Sequence, residues 1–210
     1  MSARFPQKRL YSIVAFFFLV VSASASGSKD WKYEDTRHDA REFASGGSVH
    51  LRAMVGDIHI KRGDSNMIRL EYRVKSRSEN GVKEARADFD VHGKDATIVF
   101  HAPSSGNTNI DIELEVPQNT NLDIHQKVGD IRIDKIEGDK DIELGVGDIR
   151  VSTDHSRYSL VRANTGIGDV HSTGYGETKG WLGKTLKYSG EGKYELRAHV
   201  GVGDIHLDEQ

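Results

Sequence analysis

Cysteine is absent from this sequence. That excludes disulfide stapling, even in an oxidising compartment, and excludes lipid attachment through a cysteine. Stability must therefore come from burial and backbone pairing. Long basic runs are also missing, and the net charge is −3, so nucleic acid is not an expected partner. Apolar runs are limited to one, Tyr11 to Val21, broken only by Ser12. It is about half of the roughly 20 apolar residues that a membrane span needs. Nothing downstream is apolar enough to cross a bilayer.

That single run has the flanks of an export signal. Arg4, Lys8 and Arg9 precede it, no acidic residue occurs before Asp30, and Ala23-Ser24-Ala25 follows it as a small-residue cleavage pattern. The expected organisation is a signal peptide over 1–25, a polar lead-in over 26–39 and one repeat domain over 40–210. Removing the three early cations from 29 Lys+Arg, and no acid from 32 Asp+Glu, leaves a mature net charge of −6. An exported chain, periplasmic, envelope-associated or secreted and not membrane-spanning after cleavage, is the expectation.

What the sequence has in quantity is one short phrase. It reads Val55-Gly56-Asp57-Ile58, Val128-Gly129-Asp130-Ile131, Val146-Gly147-Asp148-Ile149, Ile167-Gly168-Asp169-Val170 and Val202-Gly203-Asp204-Ile205. Successive glycines of the set lie 73, 18, 21 and 35 residues apart. A unit of 18–21 residues fits two gaps directly, and the longer gaps would hold about four and about two units. Between copies the apolar residues fall two apart, as in Ile68, Leu70, Tyr72 and Val74, or Ile110, Ile112, Leu114 and Val116. Period two means strands with one face in and one face in water. Val82 to Phe89 is the one stretch with a hint of helix, expected as a short turn between strands. Pro103 to Asn107 reads as a loop and Pro117 as a strand end. The expected fold is all-β: a single-stranded right-handed β-solenoid with coils of about 18–21 residues, stacked about 4.8 Å apart.

Glycine weakens a strand, so its recurrence inside one needs a reason. A bend with φ > 0, where a Cβ would clash, supplies one. Asp can then accept backbone N–H bonds and fix the bend. The pairs Gly56-Asp57, Gly129-Asp130, Gly147-Asp148, Gly168-Asp169 and Gly203-Asp204 are thus read as structural turns. Stacked aspartates could alternatively chelate calcium, but one recurrent Asp per coil is far from the six to eight oxygens that calcium takes. No metal and no cofactor is expected.

The residue after each motif is His59, Arg132, Arg150, His171 or His206. Period two places it on the same face as the preceding Asp. Two readings follow: charge compensation on a solvated face, or a charged ladder for a polyanionic glycan or envelope partner, with Arg132, Arg150, His171 and His206 as the binding face. Catalytic signals are sparse. Asp111, Glu113 and Glu115 alternate with apolar residues as an ordinary strand face, Gly-Val-Gly-Asp is not followed by Gly-Lys-Ser/Thr, and no nucleophile elbow surrounds Ser156. The chain is expected not to be an enzyme. Trp181 to Tyr188, with Tyr175 and Tyr194, concentrates aromatic residues that could stack on sugars or cover an open end of the stack.

In order, these features are an export signal, Gly-Gly-Ser-Val leading to Val-Gly-Asp-Ile-His-Ile, Leu114-Glu115-Val116-Pro117, serial Gly-Asp-Ile, Gly180-Trp181-Leu182-Gly183 and the closing His199 to Ile205. The series resembles the bacterial "putative adhesin" family of unknown function, related to toast-rack and head-GIN domains, over about residues 40 to 210. The resemblance implies a β-solenoid in or outside the cell envelope, without catalytic residues or an established ligand. The leading functional expectation is an exported, non-catalytic, adhesin-like scaffold presenting a charged stacked surface to an envelope glycan, lipid headgroup or protein. A small carbohydrate-binding or carbohydrate-active β-helix is the alternative, and an accessory role in envelope stress sensing a weaker one.

Overall fold

The computed structural model describes residues 31–63, 66–103, 107–180 and 183–209. The expected signal peptide, and Trp181 and Leu182, lie outside the described residues.

The fold is nearly all β. Each motif copy joins a strand of one sheet to a strand of a second sheet, with Gly-Asp at the corner. The pairs are β2 (Ser48–Val55) with β3 (Ile58–Arg62), β8 (Asn121–Val128) with β9 (Ile131–Asp134), β10 (Lys140–Val146) with β11 (Ile149–Ser152), β12 (Tyr158–Ile167) with β13 (Val170–Ser172), and β16 (Tyr194–Val202) with β17 (Ile205–Asp208). The remaining strands are β1 (Tyr33–Glu42), β4 (Met67–Ser76), β5 (Arg86–His92), β6 (Asp95–His101), β7 (Thr108–Val116), β14 (Thr178–Lys179) and β15 (Thr185–Ser189).

One sheet runs β1-β4-β7-β3-β9-β11-β17-β13 and the other β14-β15-β12-β16-β10-β8-β2-β6-β5. From β7 to β13, and from β6 to β12, every neighbour is parallel. Antiparallel strands flank this parallel block: β4 on β7 and β1 on β4 at one end, β5 on β6 in the other sheet, and β15 on β12 with β14 beyond it. Inward residues of both sheets meet in one hydrophobic cluster that includes Leu51, Ile60, Leu114, Ile124, Ile133, Val151, Val161 and Val200.

The two mixed sheets do not form the expected single-stranded solenoid of equal coils in chain order, and they differ from it in two ways. Chain-successive coils are stacked as expected between β8–β9 and β10–β11, which are 18 residues apart. The last copy, β16–β17, instead inserts between β10–β11 and β12–β13. The long gaps are also not filled by extra equal coils. The 73-residue gap holds β3 to β8, with antiparallel pairings, and the 35-residue gap holds β13 to β16. The physical reason is interchangeability: every copy offers the same backbone edge and the same inward apolar residue, so pairing does not require sequence neighbours.

Helix α1 (Glu79–Glu84) is one short turn, as expected in kind but displaced in position. The Ser78 side chain caps it by accepting the Gly81 N–H at 3.1 Å. Ala87 and Phe89, read as helical, belong to β5, where burial alternates. β1 crosses the expected domain boundary at residue 40, and its Arg37 donates to the Val82 carbonyl at the end of α1 at 2.8 Å. Val116 is the last residue of β7, before Pro117.

Candidate functional site

The repeated corner is where the sequence concentrates its unusual residues. Gly56, Gly129, Gly147, Gly168 and Gly203 have φ between 125° and 138°, a region closed to side chains for steric reasons. They also stack. A Cβ on Gly129 would lie 1.9 Å from the Gly56 carbonyl oxygen, one on Gly147 2.1 Å from that of Gly129, one on Gly203 1.9 Å from that of Gly147, and one on Gly168 2.1 Å from that of Gly203. Glycine is demanded twice at each corner, by torsion and by close approach.

The aspartates form a second column alongside. The Asp130 N–H donates to Asp57 Oδ1 at 3.1 Å, Asp148 N–H to Asp130 Oδ1 at 3.0 Å, Asp204 N–H to Asp148 Oδ1 at 2.8 Å and Asp169 N–H to Asp204 Oδ1 at 2.7 Å. Asp111 of β7 extends the column through a longer 3.4 Å bond from the Asp57 N–H. The carboxylates thus reach the next rung, not the N–H groups of their own turn. Register imposes this, because Gly-Asp pairs sit side by side on adjacent strands.

The expected cationic column is also present. His59 pairs with Arg132, Arg132 with Arg150, Arg150 with His206, and His206 with His171 in strand register. Arg132, Arg150, His171 and His206 are therefore brought together, in the order set by the rungs and not by the chain. Their charges are partly answered. Asp134 Oδ2 lies 2.7 Å from Arg132 Nε and 2.8 Å from His59 Nε2. Burial works against ionisation of Asp134, but these hydrogen bonds outweigh it and hold the carboxyl below its ordinary range. Arg150 is only loosely matched, with Asp208 at 3.8 Å. His171 and His206 stack face to face at 4.9 Å and 16°.

A third column was not read from the sequence. Val55, Val128, Val146, Val202 and Ile167 open each motif and lie in mutual register. They are 41–55% exposed, while the residue that closes each motif is buried: Ile58, Ile131, Ile149, Val170 and Ile205. Strict alternation would turn Val128 inward with Gln126; the corner rotates it outward instead. The result is a straight apolar ridge beside the carboxylate and cationic columns.

The other candidate groups are answered by partners. Asp111 accepts from Lys75 Nζ at 2.7 Å, Glu113 pairs with Lys61, and Glu115 lies 3.3 Å from Lys61 and 3.4 Å from Arg69. A shallow depression at one end of the columns is lined by Asp57, His59, Asp111, Glu113, Asp130 and Arg132. On the second sheet, burial opposes the ionisation of Asp123, but hydrogen bonds from Arg52 and His50 bring its pKa down to about 2. At the far end of the stack β15 pairs with β12, Leu186 is buried, and the Tyr175 and Tyr188 rings meet edge to face at 5.6 Å. No helix among the described residues is long and apolar enough to cross a membrane.

No protein-family model matches the chain, and no curated protein does. Solved structures do. A "putative cell adhesion protein" from Clostridium sporogenes superposes with a TM-score of 0.55 at 17% identity, covering 84% of this chain and all of the other. A "putative adhesin" from Bacteroides fragilis covers 84% of this chain and 97% of its own at 14% identity, with a TM-score of 0.37. The first similarity establishes a shared fold.

Proposed function

We propose that the chain is an exported, non-catalytic interaction module of adhesin-like character, with the repeated corner as its binding face. The observation that carries this reading is the set of three parallel columns, apolar, carboxylate and cationic, held at the spacing of paired strands. Such a face is rigid before binding, so little ordering entropy opposes association. Its linear periodicity suits an extended, repetitive partner, and an envelope glycan strand fits best. Exposed valines would lie against the apolar faces of sugar rings, while Arg132, Arg150, His206 and His171 would meet acidic substituents. The adhesion-related description of the Clostridium protein supports the same reading.

The test is binding of the mature chain to a panel of purified envelope glycans. Replacing Val128, Val146 and Val202 together by Ser should lower affinity at least tenfold, with an unchanged circular dichroism spectrum. Replacing Arg132 and Arg150 together by Ala should weaken binding chiefly at low salt, because exposed charges are screened. Undiminished binding by both variants would remove the corner as the site, and turnover of any glycan would overturn the non-catalytic reading.

A further inference from the structure

Among the described residues, one group of three potential metal ligands converges: Asp154, His155 and Glu209, whose donor atoms all lie within 4.8 Å of one another. Asp154 and His155 sit on the connection between β11 and β12. Glu209 follows β17. The insertion of β17 beside β11 brings together residues more than fifty positions apart. The group lies at the far end of these strands from the Gly-Asp corner, so it is separate from the proposed binding face.

Three observations distinguish this group from an ordinary ion pair. First, His155 Nδ1 is shut off from solvent and makes no hydrogen bond, although Glu209 Oε1 lies 2.7 Å away. The carboxylate is close to the nitrogen without the alignment of a hydrogen bond. Second, the ring is held by Tyr175 and Tyr188, each edge to face at 6.0 Å and 6.2 Å. Gly174 closes over it so tightly that a Cβ there would lie 2.9 Å from Glu209 Oε2 and 3.2 Å from Nδ1. Third, one Asp154 oxygen accepts the Ser156 N–H at 2.9 Å, which leaves the other uncommitted to that bond.

His125 provides an internal contrast. It also has an Asp and a Glu beside it, but it uses opposite nitrogens, Nε2 to Asp123 at 3.0 Å and Nδ1 to Glu143 at 2.9 Å. That is a bridge between two carboxylates, with no shared point for an ion.

We propose that Asp154, His155 and Glu209 bind a divalent transition metal, with zinc the best match. One imidazole nitrogen and two carboxylates form a mixed donor set that zinc accepts, with a fourth position left for water. Calcium and magnesium prefer oxygen-only sites. Bound metal would tie the β11–β12 connection to the end of β17, which belongs to the motif copy that is inserted out of chain order.

The test uses the mature chain without a histidine tag. Zn2+ should bind one per chain in calorimetry, and Co2+ should give visible absorption from a low-symmetry site. His155→Ala and Glu209→Gln should each weaken Zn2+ at least tenfold, whereas His125→Ala should not change it. Glu209→Gln alters one terminal, partly exposed side chain, so it keeps the test valid if His155→Ala fails to fold. Zn2+ should also raise the melting temperature of wild type and not of Glu209→Gln. No binding at submillimolar Zn2+, or equal binding by Glu209→Gln, overturns the site. Because glycan binding is read separately, failure here leaves the corner proposal standing, and the reverse also holds.

Discussion

Gly147 and Gly93 both have positive φ, 132° and 65°, yet their surroundings differ. A Cβ on Gly147 would meet the Gly129 carbonyl oxygen at 2.1 Å, whereas one on Gly93 meets nothing within 4 Å. Gly93→Ala should cost only the torsional penalty of about 1 kcal/mol. Gly147→Ala should cost on the order of 3 kcal/mol or more, since backbone must move. Urea unfolding of the two variants checks this, and equal losses would contradict the stacked-corner account. Lys140 is the other telling residue. It is 2% exposed, lies in the core beside the Tyr158 hydroxyl, and donates to the Gly138 carbonyl at 3.1 Å. Burial lowers its pKa to about 7 despite the opposing influence of Asp139 and Glu137. Between pH 7 and its ordinary value of 10.5 the unfolded chain holds the proton and the folded chain does not. Folding stability should therefore rise with pH across that window. Lys140→Met should flatten the rise and stabilise the protein near neutral pH, as followed by chemical denaturation at several pH values.

The aspartate column is a property of the element, since the carboxylates of Asp57, Asp130, Asp148 and Asp204 each serve the neighbouring rung. Asp148 Oδ1 accepts the Asp204 N–H at 2.8 Å. Asp148→Ala should cost about 1 kcal/mol, in the range of a single net hydrogen bond. Asp148→Asn keeps an acceptor oxygen at the same place and should recover most of the loss. If Asn were as damaging as Ala, charge and not hydrogen bonding would be the relevant property. Alternation along the strands was readable from the sequence, because period two needs only one residue's relation to the next. The corner's outward rotation of Val128 and its equivalents was not, because it follows from a turn that breaks that period.

At the scale of the whole molecule, the last rung is an interior one. β16 lies between β10 and β12, and β17 lies between β11 and β13. In a stack built in chain order, removing the final coil would merely shorten the protein. Here truncation after Lys193 should abolish the cooperative transition and expose apolar surface, read by far-UV circular dichroism and dye binding. A truncated chain that still unfolds cooperatively with most of its β signal would contradict the rung order.

The five motif copies determined by themselves that the chain is β-rich, that glycine sits at a bend, and that Arg132, Arg150, His171 and His206 each stand two residues after a motif aspartate, on its face of the strand. These follow from local rules, torsion and side-chain alternation, that operate over a few residues. The sequence did not determine the order of the rungs, because interchangeable copies carry no address. Tertiary pairing alone decided that β17 lies between β11 and β13. Out of that one choice come the stacked His171 and His206 rings and the meeting of Asp154 and His155 with Glu209. Neither arrangement follows from spacing along the chain, since both are set by which edges hydrogen-bond to which.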